Sequence, residues 1–507
     1  MIKKFIKKLF GQADAEPEQR LPLGKRVEVG ASEHGIDATL LDERAVRVVR
    51  TLKEAGFEAY IVGGAVRDLL VGRRPKDFDV ATNATPEQVK ALFRRAFIIG
   101  RRFRIVHVIH GRGRDHEVIE VSTFRAFFDA AASEAVGGNE KTSKSELAGK
   151  SHAVDTSGRV LRDNVWGPQL EDAARRDFTV NAMYYDPVSE VLVDYHGGLA
   201  DVKQRVLRMI GEPVARYRED PVRILRAVRF AAKLGFAIDD ATRAPIREMA
   251  ALLDNVPISR LFDEMIKLLQ TGHAQASVRE LRAQGLERVF PVLDVLMTGD
   301  DAQGEGSVRL VELALADTDR RVDEGRAVAP SFLLACLLWH EVRSRWAAAR
   351  AAGGAPFPAL QEAIDAVFNT RIGDISGRGK LAADMREVWL MQPRFEQRRG
   401  GTAPYALIEQ PRFRAGYDFL RLRADAGEVP AELAEWWEDF SLGTAEEREA
   451  LLTAAREQQQ RPRRVAAGGG EGPDEPAAAE GAPARKRRRR RRKPGGGSVS
   501  PPAEGSA

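Results

Sequence analysis

The chain has 507 residues, of which 43% are hydrophobic, and a formal net charge of +5 at neutral pH, a length that predicts several packed modules. The longest apolar run, residues 332–339, is far shorter than the ~20 residues that a membrane-spanning helix requires. The single cysteine, Cys336, excludes internal disulfides and cysteine-based metal sites, so we expect a cytoplasmic protein without an integral membrane segment.

The first ten residues, MIKKFIKKLF, place Ile2, Phe5, Ile6 and Leu9 on one helical face and four lysines elsewhere. This segment is too short and too amphipathic for a signal peptide. A weak contact of residues 1–10 with a membrane surface is one interpretation. We favour a frayed, solvated terminus, because isolated helices of this length are marginally stable, and we expect residues 1–35 to form a flexible leader.

Residues 36–195 alternate short β-branched runs with helical patterns, which predicts a mixed α/β module. Within it, residues 129–158 are rich in Ala, Ser, Gly and Lys and are typical of a mobile insertion. After Tyr195 strand patterns nearly vanish, and helical periodicity dominates. The predicted fold class is therefore α+β, with a mixed-sheet head followed by an all-α neck (196–270) and an all-α body (271–456).

Residues 457–507 are rich in Gln, Pro, Gly, Ala and Arg and predict a disordered tail. Twelve Lys/Arg and five Asp/Glu from Arg461 onward give this tail a charge of +7, which leaves −2 for residues 1–460. Nine of the basic residues are consecutive: Arg485, Lys486, Arg487, Arg488, Arg489, Arg490, Arg491, Arg492 and Lys493. This run is suited to sequence-independent contact with RNA phosphates, and a targeting or solubility role is the alternative.

The stretch YIVGGAVRDLLVGRRPKDFDVAT (residues 60–82) predicts a strand, a tight turn at Gly63 and Gly64, and a helix. Glycines permit the close approach of an anion, and the N–H groups at a helix start can bind phosphate. Arg67 supplies positive charge in the same segment. A double glycine by itself favours a purely structural turn, because turns need glycine for backbone reasons.

Asp77 and Asp79 follow two residues apart on a predicted strand, so their carboxylates leave the same face while Phe78 and Val80 point into the core. Neighbouring carboxylates repel each other, and Mg²⁺ ions relieve that repulsion. A solvated strand face is the alternative, and the phosphate-binding turn just upstream argues against it. Glu120 on a later predicted strand is the geometric candidate for a third acid.

Six motifs then occur in order: GGAVRDLL, KDFDVATNATPE, RDN, RRDFTVNAM, DYHGGLADV and REDPVRILRAVRFAAKLGF. Together they resemble the class II nucleotidyltransferase family, which contains the bacterial poly(A) polymerases and the CCA-adding enzymes of tRNA. The resemblance is dense over residues 59–269 and looser in the later helices. It implies a polymerase β-like nucleotidyltransferase head.

The resemblance implies that Asp77 and Asp79 hold two Mg²⁺ ions and that the RRDFT motif carries another functional acid, Asp177. Asp177 and Asn181 are four residues apart on a predicted helix and are expected to share a face. A surface salt bridge is the alternative role for Asp177. The choice between Asp177 and Glu120 as third catalytic acid stays open.

A helix is predicted to begin near Glu219 and to end at Gly235, with three arginines opposite its apolar side. The resemblance implies that Asp220 and Arg223 read the base edge of an incoming adenine nucleotide. An arginine-rich surface helix is the alternative. The implied nucleotide-binding set is Gly63, Gly64, Arg67, Asp68, Arg125, Arg176, Asn181, Asp220, Arg223, Arg226 and Arg229.

Two further helical segments carry basic residues. Arg260 and Glu264 have i,i+4 spacing, which predicts a structural ion pair. Residues 411–424 interleave aromatic and basic side chains, and the aromatic face is expected in the core. Four arginines of this segment are candidate RNA backbone contacts: Arg412, Arg414, Arg421 and Arg423.

The segment IIGRRFRIVHVIHG (residues 98–111) resembles the region after the catalytic aspartates in bacterial poly(A) polymerases. The expected function is template-independent addition of AMP from ATP to RNA 3′ ends in mRNA processing and decay. Expected partners are mRNA, small RNA and tRNA precursor 3′ ends, and the RNA-decay machinery. A CCA-adding enzyme and a non-catalytic RNA-binding adaptor are the two alternatives.

Overall fold

The computed structural model of the chain describes residues 23–100, 104–111, 116–127, 152–154, 160–163, 165–297, 305–371 and 379–467. Three features predicted from the sequence fall largely or wholly outside these residues. They are the amphipathic segment 1–10, most of the insertion 129–158, and the basic run 485–493.

The head is built on one eight-stranded mixed sheet within the described residues. Its strands are β1 (Val27–Val29), β2 (Ala59–Val62), β3 (Asp79–Thr82), β4 (Ala96–Ile99), β5 (Ile105–His110), β6 (Glu117–Thr123), β9 (Met183–Asp186) and β10 (Val191–Asp194). The spatial order is β1-β10-β9-β2-β3-β6-β5-β4. Strands β3 and β6 are parallel, and the other neighbouring pairs of the sheet are antiparallel. A separate hairpin pairs β7 (His152–Val154) with β8 (Val160–Asp163).

Six helices of the described chain accompany this sheet: α1 (Ala31–His34), α2 (Glu43–Glu54), α3 (Gly64–Leu70), α4 (Pro86–Leu92), α5 (Gln169–Arg175) and α6 (Gly198–Gln204). Their sequences explain their limits. The Asp42 carboxylate accepts a hydrogen bond from the Arg44 backbone N–H (2.7 Å) at the start of α2. A capping box formed by Thr85 and Gln88 begins α4, with Pro86 in its first turn.

Helices dominate the rest of the chain, as the sequence predicts. A short pair, β11 (Val206–Leu207) and β12 (Ala237–Ile238), accompanies the neck. The helices are α7 (Pro213–Glu219), α8 (Val222–Leu234), α9 (Asp240–Arg243), α10 (Ile246–Met249), α11 (Ile258–Leu269), α12 (Ala274–Ala283), α13 (Asp294–Met297), α14 (Glu305–Asp323), α15 (Pro330–Ala351), α16 (Pro356–Arg371), α17 (Gly379–Gln397), α18 (Ala403–Ile408), α19 (Phe413–Asp425), α20 (Ala431–Leu442) and α21 (Ala445–Ala467). The predicted α+β fold class is confirmed.

One hydrophobic core extends from the head sheet into the helical body, from Val29 to Leu422. The apolar run 332–339 lies in α15, and Cys336 within it is buried. None of the helices in the described ranges is both long enough and apolar enough to span a bilayer.

Two predicted limits differ from the structure. Strand β1 pairs with β10, with Val27 opposite Asp194, so the prediction of a flexible leader is wrong for residues 27–35. This edge strand has only three residues and buries only Val29, so it lacks the alternation that identifies a strand. At the other end, α21 continues to Ala467, past the predicted end of the helical body at residue 456.

Candidate active site

The turn between β2 and α3 requires glycine because of its backbone conformation. Gly63 has φ 71° and ψ −133°, a conformation that residues with a Cβ atom rarely adopt. A Cβ atom on Gly63 would also lie 3.4 Å from the Arg176 guanidinium. The backbone at this turn therefore approaches a positively charged side chain closely.

The two predicted metal-binding aspartates lie at the start of β3, the strand that pairs with β2. Strand β3 begins at Asp79, and Asp77 lies just before it. Both aspartates are exposed, whereas Phe78 (5% exposed) and Val80 (0%) are buried. The predicted alternation of acids outward and apolar residues inward is confirmed.

Glu120 lies beside Asp79 on the neighbouring strand. The two residues are register partners of the parallel strands β3 and β6, so their side chains leave the same face of the sheet. On the other side of β6, His107 is the register partner of Glu120, and its Nε2 lies 3.1 Å from Glu120 Oε1. The strand register therefore places Glu120, the geometric candidate for a third acid, next to Asp79.

The electrostatics of Asp79 reflect this arrangement. Its side chain opens into a cavity, but the surrounding protein displaces most of the bulk water. This desolvation, followed by the negative charge of Glu120, raises the pKa of Asp79 to about 6. The carboxylate pair is thus under repulsion that a bound cation relieves.

Asp177 has a different environment. The predicted helix through Asp177 and Asn181 is wrong, because α5 ends at Arg175 and a 3₁₀ turn covers Thr179–Asn181. Asn181 Nδ2 nevertheless donates to Asp177 Oδ1 (3.3 Å), and Arg226 Nη2 lies 2.5 Å from Asp177 Oδ2. Burial opposes ionisation, but Arg226 outweighs it and lowers the pKa of Asp177 to about 2.

The basic residues around the glycine turn are held by acceptors. Arg67 is 2% exposed, and it donates to Asn181 Oδ1 (2.6 Å) and to Asp68 Oδ1 (2.6 Å). Arg176 donates to Asp172 Oδ2 (3.1 Å) and to the Asn181 carbonyl (3.3 Å). Both guanidiniums are therefore positioned before any ligand binds.

Arg125 forms an isolated β-bridge with Trp166. Its backbone N–H donates to Asp172 Oδ1 (3.1 Å). Burial lowers the pKa of its guanidinium. Arg125 is thus tied to the same carboxylate as Arg176.

Each of the three arginines of α8 has an acidic partner. Arg223 pairs with Glu219, and Arg226 pairs with Asp177. Arg229 is buried, and its Nε donates to Glu264 Oε2 (3.0 Å). Glu219 is only four residues before Arg223, but Asp177 and Glu264 are distant from α8 in the sequence, so local periodicity could not identify them.

Asp220 occupies the junction between α7 and α8. Arg260 Nη2 donates to both of its carboxylate oxygens, at 3.1 and 2.9 Å. The sequence predicts that Arg260 pairs with Glu264, but Glu264 instead accepts from Arg229 and Lys267. Arg260 therefore fixes the orientation of the predicted base-reading carboxylate.

These groups surround one cavity of about 580 Å³. Its lining residues are Gly63, Gly64, Arg67, Asp79, Arg176, Asp177, Asn181, Asp220, Val222, Arg223, Arg226, Phe230, Arg260, Asp263, Glu264 and Lys267. The predicted phosphate-binding turn, the predicted catalytic residue Asp79 and the predicted base-reading residues thus share one cavity. Sequence reasoning missed Asp263 and Lys267 as lining residues.

The body arginines proposed as RNA contacts have structural partners. Arg423 is 5% exposed and lies 5.1 Å from the Trp339 ring centroid, so its prediction as an RNA contact is wrong. Arg421 pairs with Asp317 (3.3 Å) and Arg412 with Asp384 (2.5 Å). Arg414 also has an acidic partner in Asp418 (3.1 Å), but its side chain remains 71% exposed. The aromatic face of α19 is buried, as predicted.

Three family models match the chain. The poly A polymerase head domain matches residues 59–208, the probable RNA and SrmB-binding site of polymerase A matches residues 235–297, and the polymerase A arginine-rich C-terminus matches residues 352–494.

Relatives extend this similarity over most of the chain. Poly(A) polymerase I of Haemophilus influenzae is 41% identical over 428 residues, which cover 84% of this chain and 90% of the relative. The chain belongs to the poly(A) polymerase I family. Poly(A) polymerase I of Salmonella typhimurium is 38% identical, over 89% of this chain and 93% of the relative.

CCA-adding enzymes share less of the chain with this member of the poly(A) polymerase I family. The CCA-adding enzyme of a Geobacillus species is 36% identical over 251 residues, which cover 50% of this chain and 55% of the relative. The crystal structure of the Bacillus stearothermophilus CCA-adding enzyme in complex with CTP is 25% identical over 83% of this chain and 98% of that one, with a TM-score of 0.44.

Proposed function

We propose that the chain adds AMP units from ATP to RNA 3′ ends without a template. The RNA 3′ oxygen forms a bond to the α-phosphorus of ATP, the bond from that phosphorus to the bridging oxygen breaks, and pyrophosphate leaves with that electron pair. The 3′ hydroxyl gives up its proton to solvent water in the same exchange. The observation that carries this proposal is the single cavity shared by Asp79, the Gly63–Gly64 turn and the Asp220–Arg223 pair.

The glycine turn and Arg67 suit the triphosphate. The exposed backbone at Gly63 and Gly64 admits an anion closely, and the bonds from Arg67 to Asn181 and Asp68 hold its positive charge in place. Such preorganised positive charge stabilises the charge that develops on phosphoryl oxygens.

The acid pair suits hard cations with oxygen ligands. No group of three or more His, Cys, Asp or Glu side chains in the described ranges forms a complete metal site by itself. Mg²⁺ typically binds one or two carboxylates and takes its other ligands from water and phosphates, and the repulsion between Asp79 and Glu120 is relieved by a cation. We assign Asp77, Asp79 and Glu120 as the residues that would hold two Mg²⁺ ions. These ions would polarise the 3′ hydroxyl and neutralise the departing pyrophosphate.

The opposite part of the cavity suits the base. Asp220 accepts a hydrogen bond from the adenine amino group, and Arg223 donates to a ring nitrogen. Their partners Arg260 and Glu219 restrict both side chains before the nucleotide arrives, so less entropy is lost on binding. Protein side chains thereby replace a template strand.

Segments outside the head are expected to bind the RNA. Residues 235–297 match the probable RNA and SrmB-binding site of polymerase A. The matched arginine-rich C-terminus contains the basic run 485–493. We propose that this run contacts RNA phosphates without regard to sequence. A cytoplasmic location with RNA-decay enzymes as partners follows from this function.

The deciding experiment offers the purified chain each nucleoside triphosphate separately, with Mg²⁺ and either a generic RNA or a tRNA that lacks its CCA end. We expect long tails with ATP alone on both RNAs, and no tails from the Asp79→Asn variant. Incorporation of CTP restricted to the tRNA end would establish the CCA-adding alternative. Full biological effect of an Asp79→Asn variant would establish the adaptor alternative.

A further inference from the structure

Within the described residues, one face of the head sheet is exposed beyond the proposed catalytic acids. Residues Ile119, Val121, Val106 and Val108 of β6 and β5 fill the core on the buried face. On the opposite face, successive register partners run from Asp79 in β3 through Glu120 and His107 to Phe97 in β4. The row crosses four adjacent strands.

The far end of this row is unusually apolar for an exposed surface. Phe97 is 55% exposed, and Ile99, two residues further along the same face of β4, is 37% exposed. Because strands lie about 4.8 Å apart, three strand intervals place Phe97 about 14 Å from Asp79. We call Phe97, Ile99 and His107 the open platform.

We propose that the open platform binds the RNA primer a few nucleotides upstream of its reacting 3′ end, with a base stacked on the Phe97 ring. This proposal deepens the proposed function and rests on it. Exposed aromatic side chains on a sheet face stack with unpaired bases regardless of sequence. The 3′ hydroxyl must reach Asp79, and the platform continues from Asp79 in unbroken register.

The charge around β4 fits this occupant. Arg94 and Arg95 precede the strand and are exposed. Basic residues beside an exposed aromatic side chain suit a single RNA strand, whose phosphates flank each stacked base.

The test measures RNA binding without ATP or Mg²⁺, so that turnover is not required. Fluorescence anisotropy of a labelled oligoadenylate is recorded at raised salt, which weakens the contribution of the basic run 485–493. The Phe97→Ala variant is expected to bind about 5- to 150-fold more weakly, whereas Phe97→Tyr keeps near wild-type affinity. Val27→Ala is the matched control, because Val27 is an exposed apolar residue (51%) on the opposite edge strand of the same sheet.

Kinetics locate the contact along the primer. With a long oligoadenylate, Phe97→Ala is expected to raise the KM for RNA and to leave the KM for ATP unchanged. With a dinucleotide primer, which is too short to reach Phe97, the variant is expected to match the wild type.

Wild-type affinity of Phe97→Ala, equal losses in Phe97→Ala and Phe97→Tyr, or an equal loss with the dinucleotide would each overturn the proposal. Absence of ATP incorporation by the wild type would instead overturn the proposed function, and the anisotropy comparison would still decide whether Phe97 binds RNA. Because Phe97 is largely exposed, the variants are expected to keep the wild-type Tm.

Discussion

Asp79 and Glu120 are register partners on adjacent parallel strands, and both side chains leave the open face of the head sheet. The two residues are far apart in the sequence, so the sequence alone does not show that they are adjacent. Asp177, by contrast, forms an ion pair with Arg226. The structure therefore favours Glu120 over Asp177 as the third acid of the proposed reaction.

Replacing either acid is expected to abolish most activity without harming the fold. Asp79→Asn and Glu120→Gln should each lower kcat for AMP addition by about 10²-fold or more, because each removes a ligand of the proposed metal ions. Thermal unfolding should occur at the wild-type Tm or above it, since mutual repulsion is removed. Glu117→Gln, on the same strand with a side chain 57% exposed, is the control and should keep wild-type kcat. Wild-type turnover by Glu120→Gln would remove Glu120 from the mechanism.

The hydrogen bond between His107 and Glu120 predicts a positioning role for His107. His107→Leu should lower kcat about 10-fold or more, in the range measured for groups that orient metal ligands. His107→Gln keeps a polar group near the same place and should recover most of that loss. The KM for ATP should not change in either variant, and Mn²⁺ binding followed by calorimetry should weaken in His107→Leu alone. Equal kinetics of the two variants would contradict the positioning role.

Asp220 and its partner Arg260 are expected to control nucleotide choice. Asp220→Ala should reduce the ratio of kcat/KM for ATP over CTP by about 5- to 150-fold, the effect of losing one good base contact of ~1–3 kcal/mol. Arg260→Gln should give a smaller reduction, because it loosens the Asp220 carboxylate without removing it. An unchanged ratio in Asp220→Ala would mean that the base lies elsewhere.

The Asp177–Arg226 pair predicts a pH-dependent contribution to stability. The folded pKa of Asp177 is lowered to about 2, below its usual value of about 3.9. Its stabilisation is therefore complete above pH ~4 and is lost as the pH falls towards 2. Asp177→Asn should cost about 2 kcal/mol near neutral pH, less than the ~3–5 for a fully buried pair, because the Arg226 side chain is 34% exposed.

Denaturant unfolding at pH 6 and pH 3 checks this prediction. The difference in unfolding free energy between wild type and Asp177→Asn should shrink at the lower pH. A difference that stays constant would show that the Asp177 charge is not what stabilises the head against α8.

Much of the local structure was predictable, because strong local signals specify it. Strand β2 and the Gly63 turn follow from a β-branched run and a glycine pair, and α8 ends at Gly235 with φ 65°, as its capping signal predicts. The alternation around Asp79 likewise identifies which side chains enter the core.

The rest depends on contacts between elements that are distant in sequence. The partners of Asp79, Arg226 and Arg229 come from segments that no local sequence pattern joins. Burial of Arg423 against Trp339 brings together α19 and α15. For the same reason, the choice of the third acid depended on the strand register. The ion pairs of the α8 arginines depended on the packing of distant segments.

The most direct test of the whole account is a crystal structure with a non-hydrolysable ATP analogue and Mn²⁺, read from the anomalous signal. We predict Mn²⁺ among Asp77, Asp79 and Glu120, the triphosphate against Gly63 and Gly64, and the adenine beside Asp220. A nucleotide bound outside this cavity, with these carboxylates free of metal, would contradict the proposed active site.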